Sequence, residues 1–392
     1  MKIDAVEFFY LSMPEILDIG DGSQDLLLVR IVDSTGAIGW GECEAAPLVS
    51  IASLVCPKSH SACKAVADSV VSQRIDAVSD ISRIGRLVHQ NSMDVLQADH
   101  TLSGIDIALW DLLGRRLNEP VYKLLGYPHA YPKMPYASLL FGDTPHQTLD
   151  DAKKLRAEGF RAIKFGWGPF GHTTPAADYD QLAAAREGLG ADGILLVDAG
   201  TVWAGDFEAA RARLDAVKHF RATWLEEPFR SGELEEYRKL AELSGDVKIA
   251  GGEGCHNFSM ARHMIDYAGI GYVQIDASRI GGITPAKQVA DYARAKGVTF
   301  VNHSFQSHLA LAASLQPFAG IESDTICEYP VRLKPLAWEA TCEHLTPDRN
   351  GQIQYPEVPG VGMTPDVVAL KKYLLDVEIK VRGEVLYRTP VL

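Results

Sequence analysis

Residues 194–198 have the sequence ILLVD, a short apolar run followed by a carboxylic acid, and two further short, mostly apolar runs lead to an acid later in the chain. Residues 222–226 are ATWLE and residues 248–253 are KIAGGE, so each short apolar run again leads to an acid. Apolar runs of this length, bounded by turn residues, are typical of β-strands. The three acids, Asp198, Glu226 and Glu253, therefore stand at the ends of consecutive predicted strands.

Five more strand-like runs flank these three, and helical patterns separate them. The predicted strands are 135–140, 162–165, 194–197, 222–225, 248–250, 272–275, 299–301 and 325–327. The predicted helices are 148–158, 179–189, 207–219, 233–243, 258–267, 285–295 and 309–316. Strand and helix alternating about eight times predicts an α/β fold, a (β/α)-barrel of the TIM type. The active site of such a barrel lies at the carboxyl ends of its strands.

The chain before the barrel has a different pattern, with strands first and helices after them. Its predicted elements are strands at 26–32 and 37–43 joined by the turn Asp33-Ser34-Thr35-Gly36, helices at 61–75 and 77–92, and a helix that Ser103 can cap and Asn118-Glu119-Pro120 ends. Beyond residue 350 the chain is rich in Pro and Gly and ends in an apolar, strand-like stretch. We therefore expect an N-terminal α+β domain at 1–130, the barrel at 131–350 and a C-terminal segment at 351–392 that returns to the first domain.

Composition excludes several classes of protein. A chain of 392 residues is too long for one compact core, which favours two domains. The formal net charge of −13 disfavours partnership with nucleic acid or with an anionic membrane surface. The sequence contains neither a signal peptide pattern nor an apolar run long enough to span a membrane. The six cysteines are scattered without a CxxC pair, which predicts reduced thiols in a cytoplasmic protein.

Seven ionisable residues stand at or just after predicted strand ends, each about one strand–helix unit from the next. They are Lys164, Asp198, Glu226, Glu253, Asp276, His303 and Glu328. Three carboxylates without a Cys or His form a donor set that suits a hard cation such as Mg²⁺. Such a cation would also keep the three crowded acids ionised.

Each of these residues has a plainer interpretation when it is taken alone. An acid after a strand is usually a helix cap or a solvated turn residue. His303 is open to interpretation as a core histidine satisfied by Asn302 and Ser304, and Lys164 as a surface lysine. Seven ionisable residues at this regular spacing favour one shared active site over seven unrelated structural roles.

Six stretches carry motifs that are specific in combination. They are GIDIALWD (104–111), PVYKLLG (120–126), VDA (197–199), LEEP (225–228), AGGE (250–253) and DASRIGGI (276–283). Together they resemble the mandelate racemase group of the enolase superfamily over nearly the whole chain. The resemblance implies a capping domain over a barrel, Mg²⁺ bound by Asp198, Glu226 and Glu253, a small-molecule carboxylate substrate and a symmetric homo-oligomer. It also implies that loops at 14–24 and 46–60 close over the barrel mouth.

One position separates the branches of that family. The muconate-lactonising and dipeptide-epimerase branches carry a lysine where this chain has Asp276. An aspartate beside the seventh-strand His303 resembles the His–Asp dyad of the racemase and acid-sugar dehydratase branch. The carboxylate of such a dyad orients the imidazole and stabilises its protonated form.

Two positions depart from the family pattern. The family's second strand commonly ends in Lys-x-Lys, and here Lys164 is present but the second lysine is replaced by Gly166. The Asn often found after the first metal ligand is Gly200. Racemisation needs an acid or base on each face of the carbon, whereas elimination of water needs only one proton removed. The sequence therefore favours a dehydratase that converts an aldonate or aldarate into a 2-keto-3-deoxy acid.

The predicted roles follow from this chemistry. His303 is the general base that Asp276 tunes, Lys164 stabilises the negative charge that develops, and a protonated Glu328 donates a hydrogen bond. A racemase or epimerase with an unrecognised second base is the first alternative, and a non-catalytic barrel that binds a metal or ligand is a more distant one. A phosphate-binding barrel enzyme is disfavoured, because no glycine lies in the segment after His303. The loop residues His172, Thr201 and Trp203 are left outside the catalytic set.

Overall fold

The computed structural model describes all 392 residues, and its first domain is a sheet covered by helices. Three antiparallel strands are followed by four helices: β1 (Ile3–Ser12), β2 (Asp25–Asp33), β3 (Ile38–Cys43), α1 (Pro47–Val55), α2 (Val78–Asn91), α3 (Ala98–Leu117) and the single turn α4 (Val121–Leu124). The predicted hairpin is β2 and β3, which pair from Leu27 opposite Cys43 to Val32 opposite Ile38. Strand β1 pairs with β2 and was not predicted from the sequence.

Two predictions for this domain were wrong. The segment predicted as a helix at 61–75 contains only a short 3-10 helix, Val66–Ser69. The carbonyl of Gln73 accepts the N–H of Ile3 and the N–H of Ile75 donates to the carbonyl of Met1, so the end of this segment pairs with the start of the chain. Helix α3 begins at Ala98, five residues before the predicted cap Ser103. The Ser103 hydroxyl lies inside the helix and bonds to the carbonyl oxygen of Asp99. The predicted end is confirmed, since Asn118 adopts a left-handed conformation there.

The second part of the chain is a barrel of eight parallel strands. They are β4 (Met134–Leu140), β5 (Ala162–Gly166), β6 (Ile194–Asp198), β7 (Ala222–Glu226), β8 (Lys248–Gly251), β9 (Tyr272–Asp276), β10 (Thr299–His303) and β11 (Ile326–Pro330). The helices between them are α5 (Pro145–Ala157), α6 (Pro175–Leu189), α7 (Phe207–His219), α8 (Leu234–Ser244), α9 (Phe258–Tyr267), α10 (Ile283–Lys296) and α11 (His308–Leu315). The order of the strands is β10-β9-β8-β7-β6-β5-β4-β11, which confirms the barrel prediction.

The barrel closes between β10 and β11 through side chains and without a backbone ladder. The backbone N–H of Glu328 donates to Oδ1 of Asn302 at 2.9 Å. The backbone N–H of Ser304 donates to Oε2 of Glu328 at 2.8 Å. The seam between β10 and β11 therefore fixes the Glu328 carboxylate at the barrel mouth.

Helix α12 (Pro335–Glu339) follows the last barrel strand. The C-terminal segment contains helix α13 (Val367–Leu370) and ends in a hairpin, β12 (Glu378–Val381) and β13 (Glu384–Arg388). It contacts the first domain directly. The hydroxyl of Tyr387 donates to the carbonyl of Phe8 at 2.6 Å, and the N–H of Leu375 donates to the carbonyl of Tyr10 at 2.9 Å. The exact domain limits at 130 and 350 stay a prediction. None of the helices has the length and apolarity that crossing a membrane would require.

Helix α3 joins the first domain to the barrel through a buried carboxyl group. Asp106 accepts hydrogen bonds from the hydroxyl and the backbone N–H of Thr284, at 2.6 and 3.0 Å. A Cβ at Gly282 would lie 2.3 Å from Asp106, so glycine is required for this close approach. Burial raises the pKa of Asp106 to about 7.

This raised pKa has a predictable effect on stability. Because the folded chain binds the Asp106 proton more tightly than the unfolded chain does, its contribution to stability is present at acid pH and is lost as pH rises through about 7. Asp106→Asn is expected to reduce the slope of the unfolding free energy between pH 4 and 7 by up to about 1.4 kcal/mol per pH unit. Urea denaturation at several pH values measures this slope. An unchanged slope in the variant would contradict the assignment.

Candidate active site

The seven predicted residues converge at the carboxyl end of the barrel, and Lys164 lies at their centre. Its Nζ is 2.7 Å from Oε1 of Glu226, 2.8 Å from Oε1 of Glu328 and 3.6 Å from Oδ2 of Asp198. Four of the seven, Asp198, Glu226, Asp276 and His303, are the last residues of their strands, which extend one or two residues beyond the predicted ends. The side chain of Lys164 is only 4% exposed, so it is a buried cation among carboxylates.

Asp198, Glu226 and Glu253 form the carboxylate cluster of the site. One carboxylate oxygen from each lies within 4.8 Å of those of the other two. The backbone N–H of Gly200 donates to Asp198 at 2.7 Å, and the indole N–H of Trp224 donates to Glu226 at 2.9 Å. All three side chains are buried, so each carboxylate is held in a fixed position that faces the other two.

Burial makes the negative charge of this cluster costly. Desolvation raises the pKa of Glu226 to about 8 and also raises the pKa values of Asp198 and Glu253, while the nearby ammonium of Lys164 opposes each of these rises. One lysine does not neutralise three acids. A divalent cation between the three oxygens would supply the missing positive charge, and the all-oxygen donor set fits a hard cation.

His303 and Asp276 form a hydrogen-bonded pair beside the cluster. Nδ1 of His303 lies 2.7 Å from Oδ2 of Asp276, whose other oxygen accepts the N–H of Ser278 at 2.6 Å. Nε2 of His303 lies 3.1 Å from Oε2 of Glu253. Burial lowers the pKa of His303, and the positive charge of Arg279 lowers it further. With Nδ1–H bonded to Asp276, Nε2 faces the carboxylate cluster as a proton acceptor.

A cavity of about 320 Å³ opens above these residues. The first predicted lid contributes Ile19 to Gly22 to its lining, together with Ser138, Leu139 and Leu140 from β4 and Phe305 from the loop after β10. The second predicted lid, 46–60, does not line the cavity, because most of it forms helix α1. The loop residues His172, Thr201 and Trp203 also lie outside the lining. The cavity is therefore formed by one lid loop, by Glu44 and Ala45 of the first domain, and by residues at and after the barrel strand ends.

The geometry explains both departures from the family pattern. A Cβ at Gly166 would lie 2.8 Å from Cβ and Oδ2 of Asp198, so a longer side chain would displace that carboxylate. A Cβ at Gly200 would lie 2.6 Å from the ring of Trp167, which takes the space where a larger residue would stand. Trp167 adopts a left-handed backbone conformation, with φ 51°, and its ring also lies against Gly20 of the lid loop. The indole thus occupies this side of the cavity in place of a second lysine.

Gly166→Ala tests this packing. The added methyl group is expected to push Asp198 out of the cluster, because Asp198 is buried and fixed by the N–H of Gly200. Overpacking of this kind costs about 1–3 kcal/mol of stability. We expect the loss in thermal unfolding to be accompanied by weaker divalent cation binding in calorimetry. Ala at Gly232, where a Cβ meets no neighbour and the backbone is not left-handed, is the control for the glycine-to-alanine change alone. Cation affinity equal to that of the Gly232→Ala variant would contradict the clash.

Some residues of the site were missed or left unassigned by the sequence interpretation. Arg279, inside the DASRIGGI motif, reaches both the cluster and Glu44 of the first domain. Glu44 stands just beyond β3, two residues after the buried Glu42. Trp167 follows the Gly166 that was noted only as a missing lysine. The position of Arg279 three residues after the strand-end Asp276 is the one signal that pointed toward its role.

Comparison with known proteins gives the family. Residues 18–126 match the model for the mandelate racemase / muconate lactonizing enzyme N-terminal domain, and residues 147–369 match the model for the enolase C-terminal domain-like family. The chain belongs to the mandelate racemase / muconate lactonizing enzyme family. The predicted resemblance to the enolase superfamily is thereby confirmed, as is the arrangement of an α+β first domain followed by a barrel.

Individual members of the family differ in their named reactions. A crystal structure of a predicted mandelate racemase from Rhodobacter sphaeroides is 58% identical, covers 99% of both chains and has a TM-score of 0.94. A 3,6-anhydro-alpha-L-galactonate cycloisomerase from Streptomyces coelicolor is 30% identical, over 83% of this chain and 88% of the relative. A D-gluconate dehydratase from Thermoproteus tenax is 28% identical, over 88% and 69%. A racemase structure from Streptomyces coelicolor with bound magnesium is 25% identical, covers 95% of this chain and 100% of that one, and has a TM-score of 0.81.

Proposed function

We propose that this family member is a Mg²⁺-dependent lyase that removes the proton next to the carboxylate of a sugar acid and expels the oxygen substituent on the following carbon. The observation that carries the proposal is the position of the His303–Asp276 pair, with Nε2 of His303 facing the carboxylate cluster. A single base beside a cation site is what this elimination requires. Gly166 leaves the opposite side without the lysine that racemisation would use.

Asp198, Glu226 and Glu253 would hold the metal. Their oxygens lie within 4.8 Å of one another, they are buried, and they bring no soft ligand. When bound, Mg²⁺ would supply the Lewis acidity that stabilises the enediolate formed from a substrate carboxylate. A relative with bound magnesium supports this choice of cation.

His303 takes the proton. Its Nδ1–H is held by Asp276 at 2.7 Å, which leaves the lone pair of Nε2 directed into the cavity. The electron pair of the C–H bond enters the enediolate while the proton moves to Nε2, and Asp276 stabilises the resulting imidazolium. Lys164 places a positive charge beside the cluster, where the enediolate oxygens gain negative charge.

Glu328 contributes to the same side of the site. Its Oε1 lies 2.8 Å from Nζ of Lys164 and its Oε2 accepts the N–H of Ser304. Oε2 is therefore fixed by a hydrogen bond, whereas Oε1 is held by the ion pair with Lys164 and has no hydrogen-bond partner. The proposed donation of a hydrogen bond by a protonated Glu328 stays a prediction, and it requires Lys164 to shift toward the substrate.

The leaving group decides between two related reactions. If the enediolate collapses with expulsion of hydroxide from the next carbon, His303 can return its proton to form water, and the enol tautomerises to a 2-keto-3-deoxy acid. If the leaving oxygen belongs to a ring, the same electron movement opens the ring and no atoms are lost. Dehydration is our first proposal, supported by the gluconate dehydratase. Ring opening is the second candidate, and the cycloisomerase relative favours it.

The experiment is a 2-keto-acid assay of the purified protein with Mg²⁺ against a stereochemically complete panel of aldonates, aldarates and their lactone or anhydro forms. Formation of a 2-keto acid from an open-chain acid, with loss of water in the product mass, supports dehydration. A product of unchanged mass from a ring substrate supports ring opening. A blank panel, together with deuterium exchange into recovered substrate, would replace both proposals with racemisation.

A further inference from the structure

Glu44 is a carboxylate that the capping domain contributes to the barrel mouth. Its side chain is only 3% exposed, and its backbone N–H donates to the carbonyl of Ser278 at 3.2 Å. Glu44 forms a bidentate ion pair with Arg279. Oε1 accepts Nη2 of Arg279 at 2.7 Å, and Oε2 contacts Nε of the same guanidinium. Because the planar fork of arginine matches a carboxylate in this way, the ion pair fixes the guanidinium in both position and orientation.

The third side of the guanidinium reaches the carboxylate cluster. Nη1 of Arg279 donates to Oε1 of Glu253 at 3.1 Å. The other oxygen of Glu253 is the one that lies 3.1 Å from Nε2 of His303. Arg279 therefore connects a residue of the capping domain to a candidate metal ligand and, through that ligand, to the proposed base.

Arg279 has two opposing effects on cation binding at Glu253. An N–H donor orients Glu253, which favours a preformed cation site. A positive charge next to Glu253 repels an incoming cation. Glu44 offsets that charge through its two contacts while it leaves the Nη1 bond to Glu253 in place. The pair thus orients Glu253 through a hydrogen bond, and it repels an incoming cation less than an unpaired guanidinium would.

We propose that Glu44 is a positioning residue that acts through Arg279: by offsetting the guanidinium charge beside Glu253, the third metal ligand, it allows the docked capping domain to complete the cation site of the barrel. This inference rests on the Mg²⁺ site of the proposed function. It assigns to the capping domain a part in metal binding that is separate from covering the substrate.

The test is calorimetric titration of Mg²⁺ into the EDTA-treated full-length protein without substrate. Glu44→Gln keeps the shape but removes the charge that offsets Arg279, so Mg²⁺ affinity is expected to fall about tenfold. Arg279→Gln removes the repelling charge but keeps an amide N–H that can donate to Glu253, so affinity is expected to stay equal or to rise, up to about tenfold. The double variant is expected to return to within about threefold of the wild type, because the two charges are removed together.

Glu42→Gln is the matched control. Glu42 is a buried carboxylate at the end of β3, two residues before Glu44, but it bonds to Ser307 and contacts none of the three ligands. Its Mg²⁺ affinity should stay within about threefold of the wild type. Circular dichroism and melting curves confirm that each variant is folded before titration.

Three outcomes would overturn the inference. Glu44→Gln could bind Mg²⁺ as tightly as the wild type. Arg279→Gln, although folded, could lose as much affinity as Glu44→Gln, which would indicate a merely structural pair. Finally, a wild-type protein that binds no Mg²⁺ would overturn the proposed function as well, whereas the first two outcomes leave that function standing.

Discussion

His303→Asn is expected to lower turnover of a sugar-acid substrate by about 10³-fold or more, because general-base catalysis contributes about 10²–10⁴-fold and no second base faces this cavity from Gly166. Asparagine fills part of the same space but cannot accept the proton. Exchange of the α-proton with solvent deuterium should fall in parallel, since it depends on the same step. The measurement is the initial rate of 2-keto-acid formation together with proton NMR of recovered substrate.

His308→Asn is the matched control for this variant. His308 is also a buried histidine, five residues further on, but its Nδ1 accepts the backbone N–H of Leu345 and it does not line the cavity. The control should retain turnover within about threefold per folded molecule. Equal losses in both variants would assign the effect to folding. Persisting proton exchange in His303→Asn would move the base to another residue.

The barrel could be predicted because its information is local and repeated. Each strand such as Ile194–Asp198 is a short apolar run, and each is followed by an amphipathic helix, so composition and order are enough to place it. The convergence of Lys164, Asp198 and Glu226 then follows from the fold, since parallel strands bring their carboxyl ends to one rim. The bounds of the strands and helices in this repeat were predicted to within four residues.

The parts that failed depend on contacts between distant segments. Residues 61–75 have a helical pattern, but their backbone bonds to the N-terminal strand, and no local signal reports that pairing. The ion pair of Glu44 with Arg279 joins positions 235 residues apart, so neither residue could be assigned from its own neighbourhood. Trp167 takes the place of a second lysine only because Gly20 and Gly200 both leave room for its ring. Such features are set by three-dimensional packing.

Lys164→Met should produce the largest change in stability. In the absence of a divalent cation, Lys164 is the only lysine or arginine within 4 Å of Glu226 and Glu328, whose side chains are fully buried. Removing one partner of a buried ion pair costs about 3–5 kcal/mol, because the remaining charge is left without compensation. We expect a loss of this size in urea denaturation with EDTA at pH 8.

The loss should depend on pH and on Mg²⁺ in a defined direction. The pKa of Glu226 is already raised to about 8 with Lys164 present, and removing the ammonium raises it further. A raised folded-state pKa contributes stability that is lost as pH rises, so the variant should be least impaired near pH 5 and most impaired near pH 8. Saturating Mg²⁺ replaces the missing positive charge and should therefore raise the melting temperature of the variant more than that of the wild type.

Lys133→Met separates this effect from the loss of any buried lysine. Lys133 is fully buried as well, but its Nζ donates to the carbonyl of Ile321 at 2.7 Å and forms no ion pair. The stability that Lys133→Met loses should therefore be the same with and without Mg²⁺, because Lys133 pairs with no carboxylate of the cluster. If Lys164→Met instead matched the wild type at pH 8 with EDTA, the carboxylates would have to be neutral in the folded protein. The cluster would then lack the charge that a cation site needs, so this comparison tests the metal proposal without any substrate.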